Sequence, residues 1–294
     1  MQSFSRALAW PVFIFLSLVW GSSFILIKRG LDAFTPIQIG ALRMLIAALI
    51  LLPWTLRGLK TLTQGKKWGW LALVAIFGNG LPALLFPLAE TRISSASAGM
   101  LNALSPLFVL ILGRMFFSLH VTPRQVGGVV LGLAGAIVLI LAGPEELDLF
   151  DKLSYSLLAM LATLGYGISS NVMKTHFDDV PALLASGGAL LLAATPYAGY
   201  VLLDHGIWAT FVSKPVEAWT SLGYILILGG IGSALALVLF YRLVQLTDAV
   251  FSASVTYAIP VVALFWGAAA GEPINLYQGL SLGFILAGVY LSRK

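Results

Sequence analysis

The sequence predicts an all-α polytopic membrane protein of ten transmembrane helices, arranged as two inverted-topology five-helix repeats. Three observations predict it. Of the 294 residues, 59% are hydrophobic and only 10% are charged, a balance unlike that of a soluble protein. The chain divides almost without remainder into apolar stretches of the ~20 residues that a helix needs to cross a bilayer. Finally, SSASAGMLNALSPLFVLILG, from Ser94 to Gly113, recurs as DAVFSASVTYAIPVVALFWG, from Asp248 to Gly267. At this constant offset Pro106 falls on Pro260, Asn102 on Thr256, Gly99 on Ala253 and Gly113 on Gly267.

The predicted spans are 8–27, 35–55, 69–88, 94–117, 123–142, 151–172, 181–203, 217–240, 247–269 and 275–292. The first lacks a small-residue cleavage site and runs into Trp20-Gly21-Ser22-Ser23, which reads as a retained helix rather than a removed signal. The second carries Arg43 about two turns from its start. The third contains Gly78-Asn79-Gly80-Leu81-Pro82, where glycines and a proline loosen the helix. The fourth and ninth are the duplicated, proline-containing pair. The sixth, with Tyr166-Gly167-Ile168-Ser169 and Lys174, matches the first with Trp20-Gly21-Ser22-Ser23 and Lys28. The tenth matches the fifth, Gln278 falling on Gln125 and Ala287-Gly288 on Ala134-Gly135. The repeats therefore divide at 1–145 and 146–294. Five is odd, so the second half must enter the membrane from the opposite side. That is the sequence correlate of alternating access, and hence of a transporter.

No length remains for a soluble domain, and no GxxxxGK[ST] loop occurs, which excludes an attached nucleotide-hydrolysing module. The net charge of +5 comes from basic residues scattered singly over short loops, so it points to orientation and not to nucleic acid. With the N-terminus inside, Arg6, Arg57, Lys60, Lys66, Lys67, Arg114, Arg124, Lys174, Arg242, Arg293 and Lys294 are cytoplasmic. Only Lys28, Arg29, Arg92, Lys152 and Lys214 are external, so both termini are expected in the cytoplasm. The absence of cysteine makes disulfides impossible.

Span centres hold almost no ionisable residue, which argues against strong charge coupling at the midplane. The exceptions are Arg43, Glu90 and Glu272, all toward the external side. They form a candidate gate in which Arg43 pairs with a carboxylate in one state; the alternative is a static pair or snorkelling side chains. Asn79, with its loosened backbone, is a candidate for hydrogen-bonding a zwitterion, or else interhelical glue. Gly99, Asn102 and Pro106 share a face, as do Thr256 and Pro260. Asn102 and Thr256 are candidates to face a shared cavity, with Trp20, Ser23, Tyr166 and Tyr257 as further lining. The aromatic rings have interfacial belts as their alternative, and Gly99 has helix packing. Pro82, Pro106 and Pro260 are candidate hinges. His176 with Asp178 and Asp179 reads as a solvated loop rather than a metal site. No catalytic constellation is present, so neither enzyme activity nor a cofactor is expected.

Trp20-Gly21-Ser22, Leu104-Ser105-Pro106-Leu107-Phe108, Gly271-Glu272-Pro273 and the glycine-rich fifth and tenth spans resemble the EamA-type drug/metabolite transporter superfamily along the whole chain. Length and the N-terminal half are similar to its bacterial aromatic amino acid exporters. The family often ends both the fourth and ninth helices with Glu; here Glu272 fits, but the first copy reads Ser118-Leu119-His120. The resemblance implies a secondary transporter in the bacterial inner membrane that exports neutral, aromatic or other hydrophobic amino acids and related metabolites. The alternatives are a sugar-phosphate or nucleotide-sugar carrier of the same superfamily, for which Arg43 is the embedded cation, and a non-transporting scaffold. The expected partners are a small-molecule substrate and the lipid bilayer. Proton coupling and oligomeric state are left open by these residues.

Overall fold

The computed structural model describes residues 2–63, 67–118, 120, 122–141, 148–246, 252 and 254–292. Lys66, Ala253, Arg293, Lys294, the first residues of the ninth predicted span and the repeat boundary at 145 lie outside the described residues. Among the described residues every regular element is helical. The ten apolar segments are α1 (Gln2–Gly30), α2 (Pro36–Arg57), α3 (Lys67–Ala89), α4 (Ser95–Phe116), α5 (Pro123–Leu141), α6 (Leu149–His176), α7 (Ala182–Leu203), α8 (Pro215–Leu246), α9 (Val255–Ala269) and α10 (Leu276–Ser292). Two short helices, Leu59–Thr63 and His205–Ser213, follow α2 and α7. Eight segments, α1 to α8, are long and apolar enough to cross a membrane; α10 covers its predicted span to within one residue, and α9 ends where predicted, its first residues lying outside the described ones.

This is a multi-pass membrane protein, and its surface follows from that. Leu49, Val130, Ile137 and Phe265 are exposed on the outside of the bundle, where lipid replaces water as solvent. Exposed Trp10, Trp54, Trp68 and Tyr290 fall at one set of helix ends and Trp208, Trp219 and Tyr277 at the other, as interfacial belts require.

Without a hydrophobic drive between helices, small residues set the packing. A Cβ on Gly288 of α10 would sit 2.4 Å from Gly132 N and 2.5 Å from Gly128 O of α5. Gly187 of α7 takes the Thr55 side chain of α2 in the same way. Gly21 of α1 abuts Val262 of α9, Gly167 of α6 abuts Phe108 of α4, and Gly99 of α4 abuts Ala263 of α9. At the α2–α7 end, Asp204 accepts from Gln38 Nε2 and Tyr200 OH, both at 2.7 Å. These two bonds hold its carboxyl below the usual carboxylate range.

Three helices, α3, α4 and α8, are broken near their middles. In α3 Gly78, Asn79 and Gly80 close a π turn, Ile76–Gly80, and α8 has another at Gly230–Leu235. α4 breaks between Asn102 and Ser105, and α9 opens with a 3₁₀ turn, Ser254–Tyr257. Pro82, Pro106 and Pro260 all occupy the first turn of the helical piece that follows, where a missing N–H costs nothing. Side chains satisfy the carbonyls that these breaks release. Asn79 Nδ2 donates to Val74 O and Ser233 Oγ to Leu228 O, both at 3.1 Å, and Ser105 Oγ donates to Asn102 O at 2.7 Å. The breaks thus preserve the backbone bonding that lipid demands.

Candidate functional site

The broken middles of α3, α4 and α8 and the 3₁₀ turn of α9 converge on one cavity, completed by α1, α2 and α6. Its interior offers about 110 Å³ to the centres of water-sized molecules, room for several waters or a small ligand at roughly 10–15 Å³ each. Irregular membrane-depth backbone is tolerated where it lines such a space.

The aromatic walls come in two groups. Trp20 of α1 meets Phe240 of α8 edge-on at 5.1 Å. Phe86 of α3 lies between Phe24 at 5.3 Å and Tyr166 at 6.0 Å. The Trp20 indole is held in place because Nε1 donates to Gly232 O at 3.0 Å, a carbonyl of the α8 π turn. The polar groups are Arg43, Ser23, Asn79, Asn102, Ser105, Ser169, Ser170, Ser233, Tyr241 and Thr256, and no Asp or Glu lines the cavity among the described residues. Arg43 Nε donates to Ser233 Oγ at 2.7 Å, and no other hydrogen bond engages the guanidinium among the described residues. Asn102 is 5% exposed and its Oδ1 has no hydrogen-bond partner. An unpaired acceptor at this depth favours a ligand that brings a donor.

Of the residues read as binding candidates, Trp20, Ser23, Asn79, Asn102, Tyr166 and Thr256 line the cavity. Gly99 and Tyr257 do not. Gly99 is spent on the close approach of α4 to Ala263 and Phe24, and Tyr257 packs against the core shared by α1, α4 and α9. The Asn79 amide nitrogen is committed to Val74 O of its own helix. Pro82, Pro106 and Pro260 stand behind the lining at the breaks.

The three gate candidates separate. Arg43 lines the cavity, and no ion pair joins it to Glu90 or Glu272 among the described residues. Glu272 caps the start of α4: Oε1 accepts from Ser95 N at 2.9 Å and Oε2 from Ala96 N at 3.2 Å, beside Ser94 Oγ, which accepts from Ser97 N. Its aim is set by the end of α9. Gly271 at φ 81° lets Glu272 N return to Gly267 O and Gly271 N to Ala268 O, turning the chain back onto α4. Capping of this kind stabilises by about 0.5–2 kcal/mol. Glu272→Ala is therefore expected to lower the thermal midpoint in detergent, with Glu272→Gln losing less; equal midpoints for all three proteins would show the cap to be inert.

Ser105, Ser169, Ser233, Phe86, Phe240 and Tyr241 also line the cavity and were not among the candidates. Two were legible from the repeats: Ser233 stands where Asn79 stands in the first half, and Ser169 where Ser23 does.

Relatives were found over nearly the whole chain. The uncharacterized inner membrane transporter YedA of Escherichia coli is 27% identical over 94% of this chain and 87% of its own length. A probable terminal-alkyne amino-acid exporter of Streptantibioticus cattleyicolor is 27% identical over 94% of this chain and 90% of its own. A solved crystal structure superposes with a TM-score of 0.66 at 19% identity, over 98% of this chain and 96% of that one, a likeness of fold. Residues 8–141 and 153–293 match the EamA-like transporter family. The protein belongs to that family and is a transporter rather than an enzyme.

Proposed function

We propose that the protein is a secondary transporter of the bacterial inner membrane, with both termini cytoplasmic, that exports neutral, aromatic or other hydrophobic amino acids and related metabolites. Two inverted five-helix halves, 1–145 and 146–294, alternate access to the cavity. The observation that carries the substrate class is the lining itself: one guanidinium, one unpaired amide oxygen and aromatic walls, without a carboxylate. Arg43 suits a carboxylate, Asn102 Oδ1 suits an ammonium, and the rings suit an apolar side chain. The exporter from Streptantibioticus, named for an amino acid, is consistent with this.

Support for the inverted halves lies in packing that exchanges under the repeat. Gly21 of α1 on α9 answers to Gly167 of α6 on α4, and the π turns of α3 and α8 fall at equivalent positions. The family also matches each half in turn. Arg43 within the lining favours a second reading, a carrier of anionic sugar phosphates, although a doubly charged phosphate would call for more than one cation.

Proteoliposome uptake tests the proposal. Labelled aromatic amino acids are expected to enter and to be displaced by other neutral ones but not by sugar phosphates; the reverse pattern would establish the second reading. Asn102→Ala is expected to weaken apparent affinity about tenfold, the value of a hydrogen bond to a charged group. Pro106→Ala should instead slow turnover, with affinity within about twofold, because it stiffens the break in α4. Wild-type kinetics in both variants would remove α4 from the mechanism.

A further inference from the structure

We infer that Glu90 is a proton-carrying site, neutral in the conformation seen here and ionised when the bundle opens at its end. The inference rests on the transporter reading and adds its coupling ion. Glu90 closes α3, is 0% exposed, and has no hydrogen-bond partner on either Oε1 or Oε2 among the described residues. It lies outside the cavity lining.

None of the charges that face it is bonded to the carboxyl among the described residues. Lys28 from α1 donates Nζ to the Glu90 backbone carbonyl at 2.8 Å and makes no ion pair with the carboxyl. Arg43 from α2 donates Nε to Ser233. Glu272, in the turn after α9, spends both carboxyl oxygens on the N–H groups of α4. From α6, Tyr166 stacks on Phe86, one turn before Glu90. Arg92, two residues on along the chain, and Arg29, beside Lys28, are exposed. An ionised carboxylate here would be a buried charge without a donor, which costs several kcal/mol, whereas the neutral acid costs far less. Lys28, whose Nζ sits on the Glu90 carbonyl, gives the ionised form a partner once water enters: the carboxyl O–H breaks, the proton leaves to water, and the Lys28 ammonium swings from the carbonyl to the carboxylate. Protonation and conformation are then linked, as coupling requires.

Two measurements on the full chain test this. Infrared spectroscopy at neutral pH should show a protonated carboxyl stretch that Glu90→Gln removes; a wild type without that band, or a variant that keeps it, overturns the proposal. Glu90→Gln should also melt no lower than wild type, because a neutral isostere suits the site, whereas a structural ion pair would make it melt lower and overturn the proposal. In proteoliposomes with the membrane potential clamped, a gradient of about one pH unit should drive phenylalanine accumulation up to ~tenfold at one proton per substrate. Glu90→Gln should keep phenylalanine counterflow and lose that accumulation; accumulation equal to wild type overturns the proposal. If wild type moves no phenylalanine, the substrate reading fails while the infrared result still decides Glu90.

Discussion

Arg43→Gln is expected to remove tight binding of every substrate that carries a carboxylate. Truncating one partner of a buried charge pair costs about 2–5 kcal/mol, a loss of roughly 30- to 5,000-fold in affinity. Only the guanidinium brings a positive charge into the lining among the described residues, and only its Nε is engaged. The result should depend on the substrate. A decarboxylated analogue should bind wild type and variant alike, so that a double-mutant cycle assigns the loss to the arginine–carboxylate pair. Arg43→Lys should be intermediate, because it keeps the charge but not the forked donors. Binding of amino acid and amine that falls equally in Arg43→Gln would place Arg43 in the framework instead of the site. Competition by sugar phosphates that is lost in the variant would identify the anionic carrier.

Gly288→Val is expected to be the most destabilising exchange in the α5–α10 pair. Its Cβ alone would meet Gly132 N at 2.4 Å and Gly128 O at 2.5 Å. Those atoms are backbone and cannot rotate away, so the two helices must part. Overpacking against side chains costs about 1–3 kcal/mol, and a backbone clash belongs at or above that upper end. Thermal unfolding in detergent measures it, with Gly127→Ala and Gly283→Ala as controls, since a Cβ at either meets nothing within 4 Å. The controls should hold or gain stability through helix propensity. A Gly288→Val protein as stable as its controls would mean that α5 and α10 do not pack this way.

Much of the fold was legible because its signals are local. Apolar runs of spanning length located the segments, and prolines and glycines marked the breaks. The aromatic-Gly-x-Ser pair and the two copies around Pro106 and Pro260 brought five cavity residues forward without coordinates, and the loosened Gly78–Pro82 stretch brought Asn79. The ends of α1, α6 and α8 were less legible, because these helices run on past the apolar core that the hydropathy marks.

Facing was the harder quantity. In a soluble helix the polar stripe says which side looks inward, but in lipid both sides are apolar and the stripe vanishes. The π turns of α3 and α8 add to this, since each shifts the register and defeats counting by 3.6 residues. That is why Gly99 read as lining yet serves packing, and why Ser233 and Tyr241 went unread.

The sequence by itself determined the membrane class, the apolar segments and the chemical poverty of the core, because composition and spacing are properties of the chain. Tertiary structure alone decided that Arg43 belongs to the cavity, that Glu272 caps α4 and that the Glu90 carboxyl is buried without a donor. The partners of a charge inside a bundle come from helices far apart in sequence, and only packing brings them into reach.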